Sequence, residues 1–98
     1  MRRMYVLELA FDDDERRLAA RPAHRERLSR LRAEGTLTMA GPWADDSGAL
    51  LVFRTDERGL RDILAADPYY STPGVTVVGY RRWTPLALDD EDVMNIRS

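Results

Sequence analysis

The chain has 98 residues, 44% of them apolar and 33% charged, with a formal net charge of −2, the composition of one small globular domain with a single core. No basic block stands apart from neutralising carboxylates, which argues against nucleic acid as a partner, and the lack of cysteine excludes disulfides and thiolate metal sites. The longest N-terminal apolar run, Met4 to Phe11, is too short for a membrane span and lacks a cleavage pattern, so a cytoplasmic protein with no membrane partner is expected.

Met4 to Phe11 reads as a strand with Tyr5, Leu7, Leu9 and Phe11 on one face. Met4, Val6 and Ala10, with Glu8, form a second face that is also largely apolar. The acidic run Asp12 to Glu15 ends it and suits a short helical turn through Ala20, since carboxylates favour helix N-termini. It lacks the spacing of a calcium loop and reads as a solvated loop. A helix over 22–34 follows, with Pro22 at its first position and Gly35 as its left-handed cap. His24, Leu28 and Leu31 share the core-facing side, while Arg25, Glu26, Arg27, Ser29, Arg30 and Arg32 fall mostly on the other faces. The chain's one histidine is thus expected in the first turn of this helix.

Thr36 to Gly41 reads as a second strand, with Leu37 and Met39 on one side, interrupted at Gly41-Pro42-Trp43 because proline cannot donate to a ladder. After the turn signal Asp45 to Gly48, Ala49 to Arg54 forms a third strand, apolar on both faces. Thr55 or Asp56 caps a second helix through Ala66, whose apolar positions are Leu60, Ile63 and Leu64; Asp67 follows at i+7 from Leu60, and Asp67-Pro68 closes the helix. Tyr69 to Gly74 is a loop carrying two aromatic rings, and Val75 to Trp83 is a fourth strand ended by Pro85. Trp43 and Trp83 read as core or interface residues. The order β-α-β-β-α-β is the ferredoxin-like α+β pattern, with expected sheet order 4-1-3-2. Two helices cover only one face of such a sheet, and the other exposes a patch too apolar for a monomer, so a homodimer packed sheet against sheet is expected.

Antiparallel helices in this topology bring His24, at the start of the first, to Asp67, at the end of the second. A carboxylate on one ring nitrogen fixes the tautomer and leaves the other nitrogen to take or give a proton near neutral pH. A satisfied buried pair with a purely structural role is the competing reading. The expected pocket beside the pair is lined by Arg21, Gly41, Pro42, Pro68, Tyr69 and Tyr70; Arg21 reads either as an anchor for an anionic substrate at its mouth or as a plain surface arginine, and the two tyrosines either as pocket lining or as simple packing. With one histidine and scattered carboxylates, no metal site is expected.

Arg21-Pro-Ala-His24, the segment Glu34-Gly-Thr-Leu-Thr-Met-Ala-Gly-Pro42, and Asp67-Pro-Tyr69 followed by Gly74-Val75 together resemble the YCII-related family, over roughly Met4 to Leu86. The resemblance implies a dimeric α+β barrel of ferredoxin-like fold over residues 1–88, leaving 89–98 as an acidic tail outside the pattern. It implies a homodimer, open to higher assembly, whose cleft holds a His–Asp pair, by position His24 and Asp67. Relatives include a dehydrochlorinase acting on a chlorinated hydroxyhydroquinone, and the wider superfamily includes muconolactone isomerases and cofactor-independent monooxygenases. Two readings follow. The first is a cofactor-free enzyme moving protons on a small cyclic or aromatic molecule. The second is a non-catalytic ligand-binding or accessory dimer that uses the same pair as a polar anchor. Val93, Met94 and Ile96 in the tail are candidates for docking on a neighbouring subunit.

Overall fold

The computed structural model describes residues 3–86, so the tail and the docking expected of it lie outside the described residues. The elements run β1 (Met4–Phe11), α1 (Arg16–Ala33), β2 (Leu37–Pro42), β3 (Gly48–Arg54), α2 (Glu57–Ala66), a 3-10 turn (Pro68–Ser71) and β4 (Val75–Trp83). All neighbouring strands are antiparallel, in the order β2-β3-β1-β4. This is the ferredoxin-like α+β arrangement, and β1 and β3, the strands apolar on both faces, are central as expected.

Alternation along those two strands builds the core. Leu7 pairs with Leu51 and Tyr5 with Phe53, and Leu7, Leu9, Leu51, Phe53 and the α2 residue Leu60 are the largest fully buried side chains. Each contributes about 1.5–3 kcal/mol by leaving water. The opposite set, Val6 against Val52 and Met4 against Arg54, lies on the face that the helices leave uncovered. Two irregularities add apolar surface. β4 carries an extra residue between the pairs Glu8–Gly79 and Leu9–Val77, and that residue, Val78, is 56% exposed. In β2 a bulge at Thr38 pairs Leu37 with Phe53 but Met39 with Val52. Leu37 is therefore buried, while Met39 turns to the opposite face and is 60% exposed, contrary to the expectation that the two share a side. Trp43 and Trp83 are both large exposed residues rather than core.

The largest departure from the sequence-based expectation is α1. It starts at Arg16, not at Pro22, and carries Pro22 in its interior. Interior proline removes a helical hydrogen bond and disfavours helix at the residue before it, at about 3 kcal/mol. Tertiary contacts of the segment before Pro22 offset that cost. Arg17 and Arg21 both pair with Asp46 in the β2–β3 turn, at 3.2 Å each, and both lie over the Phe11 ring. Arg17 Nε also donates to the Asp12 carbonyl at 2.8 Å, and the Asp14 carboxylate accepts from the Arg16 N–H at the helix start. The acidic run thus opens the helix. At the other end Gly35 has φ of 85°; its N–H donates to the Arg32 carbonyl and that of Thr36 to Leu31, the paired bonds of a Schellman cap. Asp56 caps α2 through the Gly59 N–H at 2.8 Å. Among the described residues no helix is long and apolar enough to cross a membrane.

Candidate active site

α1 has 18 residues and α2 has 10, so at 1.5 Å per residue they are about 27 and 15 Å long. The end of α2 consequently reaches only the middle of α1, where His24 sits. His24 is the sole buried residue of α1, in the stripe formed with the partly buried Ala20, Leu28 and Leu31. Asp67 leaves the helix in an extended conformation and serves the next element as its cap, accepting from the Tyr69 N–H at 3.0 Å through Oδ1.

The second carboxylate oxygen meets the histidine. Asp67 Oδ2 lies 2.7 Å from His24 Nδ1, with the two residues only 6% and 7% exposed. Arg27 Nη1 stands 3.8 Å from Oδ1 and also donates to the Ala66 carbonyl, binding α1 to the end of α2. The imidazole lies flat on the Tyr69 ring, centroids 3.9 Å apart at 10°, and meets Tyr70 edge-on at 5.3 Å. Its rotation is fixed by a hydrogen bond along one edge and by rings on its face and side.

His24 also lines a cavity of about 470 Å³ between α1 and the β2–β3–β1 side of the sheet, a size typical of small-molecule sites. With Nδ1 taken by Asp67, Nε2 is the nitrogen left for that cavity. Burial pushes the ring below the ordinary histidine value; the Asp67 hydrogen bond and charge oppose this, while Arg25 and Arg21 add to it. Burial wins, so at neutral pH the ring is uncharged, with Nδ1–H directed at Asp67 and a bare lone pair on Nε2. The position of His24 in mid-helix means that the N-terminus of α1 does not supply this effect. Tyr70 presents a contrast: its hydroxyl is buried without a partner among the described residues and burial raises it far above the usual phenol range, so it stays protonated.

The YCII-related domain model matches residues 3–84. The chain belongs to the YCII-related family. No match is found among curated proteins. In this YCII-related chain Arg21, Gly41, Pro42 and Tyr69 lie on the cavity wall with His24, whereas Pro68 and Tyr70 do not. Pro68 is exposed, and its carbonyl accepts from Ser71 and Thr72 within the 3-10 turn; Tyr70 supports the imidazole from outside the cavity. Arg21 is not a free cation at the mouth, because Asp46 holds it at 3.2 and 3.3 Å. Burial works against its charge, but Tyr69 and Asp46 outweigh burial and keep it charged. Three polar residues on the wall, Arg25, Ser29 and Arg32, were not expected from sequence. The signal was present: with Arg21 they recur at i, i+4, i+8 and i+11, a second stripe beside the core stripe.

Proposed function

We propose that this YCII-related chain is a cofactor-free enzyme that moves a proton on a small cyclic or aromatic molecule, with His24 as the general base. The observation that carries the proposal is the 2.7 Å contact from Asp67 Oδ2 to His24 Nδ1 on a ring whose other nitrogen is left for the cavity. Nε2 takes a proton from an acidic C–H of the substrate, the ring becomes imidazolium, and Asp67 stabilises that charge while holding the tautomer. Return of the proton to a different carbon completes an isomerisation. Departure of chloride from the neighbouring carbon, with the electron pair of the broken C–H bond forming the new double bond, completes a dehydrochlorination. Positioned general bases contribute about 10²–10⁴-fold, or about 3–5 kcal/mol of barrier.

Solvent-deuterium exchange tests this step whatever the net reaction is. A panel of hydroxyquinones, chlorinated hydroquinones and unsaturated lactones, each with and without a carboxylate substituent, is incubated with the protein in deuterium oxide and followed by proton NMR. The wild type is expected to catalyse exchange into at least one class, and His24→Gln to lose it by two orders of magnitude or more. Equal exchange by His24→Gln, or none by the wild type across the panel, would refute the assignment.

The same chain is proposed to act as a homodimer through the face that the helices leave bare. Val78, Met39 and Trp83 are 56%, 60% and 46% exposed, and the half-buried Val6 lies on that side of β1, while Val52 opposite it is already buried within the single chain. Covering these exposed side chains by a second copy would remove apolar surface from water.

A further inference from the structure

α1 contains seven arginines, and six of them have an acceptor. Arg16 pairs with Asp14, Arg17 and Arg21 with Asp46, and Arg30 with Glu26. Arg27 reaches the Ala66 carbonyl and Asp67, and Arg32 donates to the Thr38 carbonyl at 2.6 Å. Arg25 has no hydrogen bond or ion pair among the described residues. It is next to His24 in sequence, its charge acts on the His24 ring, and it lines the same cavity. No aspartate or glutamate among the described residues lines that cavity.

The walls differ in chemistry. The α1 side presents Arg21, Arg25, Ser29 and Arg32, while the sheet side presents Leu37, Ala40, Pro42, Ala49 and Leu51. A neutral apolar ligand would leave the guanidinium of Arg25 to water, and an inorganic anion would leave the apolar wall unused. A flat apolar body bearing one carboxylate satisfies both, because the planar fork of arginine matches a carboxylate in bidentate fashion. We propose that the cavity takes an organic monocarboxylate with a ring-sized apolar body, its carboxylate held by Arg25 with Ser29 one turn on. The proposal rests on the reading of this cavity as the place where His24 meets its substrate and names the class of that substrate. It also couples anchoring to chemistry: a carboxylate on Arg25 offsets the cation's push on the ring, so Nε2 becomes a stronger base once substrate is seated.

Benzoate is the probe, with benzamide as its uncharged counterpart, and affinity for the full chain is read by calorimetry and by amide shifts at Ser29 and Ala40. Arg25 is exposed and makes no hydrogen bond or ion pair among the described residues, so Arg25→Gln is expected to leave the fold intact. It is expected to weaken benzoate by about tenfold to a hundredfold, with partial recovery in Arg25→Lys. Arg30→Gln removes the same charge from the outer face of α1, where Arg30 pairs with Glu26, and is expected to leave affinity within about twofold. Benzamide is expected to bind at least tenfold more weakly than benzoate. The assignment is overturned if Arg25→Gln binds benzoate as the wild type does, if Arg30→Gln costs as much as Arg25→Gln, or if benzamide equals benzoate. It is overturned equally if benzoate fails to bind or shifts residues away from the cavity. Because benzoate needs no turnover, these results are independent of deuterium exchange, and the two proposals can fail separately.

Discussion

Replacing Asp67 by asparagine separates the orienting role of this residue from its structural one. The carboxylate has two acceptors and uses both: Oδ2 for His24 Nδ1 at 2.7 Å and Oδ1 for the Tyr69 N–H at 3.0 Å. An asparagine amide has one acceptor oxygen and one donor NH₂ group, so it cannot serve both partners as they stand. If its oxygen faces the histidine, its NH₂ faces the Tyr69 N–H, and a buried donor is left unpaired at about 1–3 kcal/mol. If its oxygen keeps the Tyr69 N–H, its NH₂ faces Nδ1, and the ring answers by moving its proton to Nε2. A neutral ring exchanges tautomers for less than an orphaned buried donor costs, so the second arrangement wins. The expected stability loss is then about 1 kcal/mol, the difference between a charge-assisted and a neutral bond. Proton abstraction, however, falls by about 10⁴-fold because Nε2 now carries a hydrogen. Asp67→Ala lacks any acceptor, leaves the Tyr69 N–H and the imidazole N–H without their partner, and is expected to lose about 1–3 kcal/mol for each buried donor left unpaired. His24 is the only histidine, so nitrogen-15 NMR of the imidazole reports the tautomer without ambiguity, and urea unfolding reports the stability. An Asp67→Asn protein that keeps Nδ1–H and a bare Nε2 at wild-type stability would refute the reasoning.

Three further outcomes are expected. Burial lowers the folded His24 value below the ordinary unfolded value of about 6.5, so the unfolded chain binds more protons in that window. Stability should be complete above about pH 6.5 and be lost as pH falls through the folded value; urea midpoints from pH 7.5 to 5 should show that slope in the wild type and lose it in His24→Gln. Pro22→Ala restores an interior N–H and should raise stability by about 1–3 kcal/mol, read from the thermal midpoint, whereas an unchanged midpoint would mean that the helix bends to accommodate proline without cost. Val78→Asp, at a bulged and exposed position, should leave a single chain folded but halve the mass seen by sedimentation at micromolar concentration; an unchanged mass would remove that face from the interface.

The sheet was legible because its signals are local. The largely apolar faces of Met4–Phe11 and the doubly apolar Ala49–Arg54 marked the central strands, the latter one residue short of its observed start at Gly48, and Asp67-Pro68 marked the end of α2. The start of α1 was not legible. Pro22 is a sound local signal for a first helical residue, and what overrides it is Asp46, which holds Arg17 and Arg21 from a distant turn; no window around Pro22 contains that information. The bulge at Thr38 escaped for a similar reason, since register is set by pairing with β3 and not by the alternation of Leu37 and Met39. For the site, helical spacing from Leu60 led to Asp67 and spacing within α1 led to His24, and the two side chains meet. Even so, the geometric reason differs from the one that sequence offers. They meet because a short helix ends against the middle of a long one, not because two helix ends coincide.

That difference bears on what the pair does. A histidine in the first turn would owe its properties to the helix terminus and to nearby water. In mid-helix, among Leu28, Tyr69 and Tyr70, it is governed by burial, and a leucine there would continue the apolar stripe of Ala20, Leu28 and Leu31 without needing a partner. Buried polar pairs are commonly matched or exceeded in stability by apolar residues of similar volume. Asp67 also could cap the 3-10 turn through Tyr69 with one oxygen, so folding does not require its second. The atoms in excess of what the fold uses are therefore Asp67 Oδ2 and the imidazole that it holds, and the nearby cation in excess is Arg25. His24 and Arg25 line one cavity, with Asp67 behind the ring at 2.7 Å, which is the arrangement that the proposed acid–base chemistry on a bound anion would use.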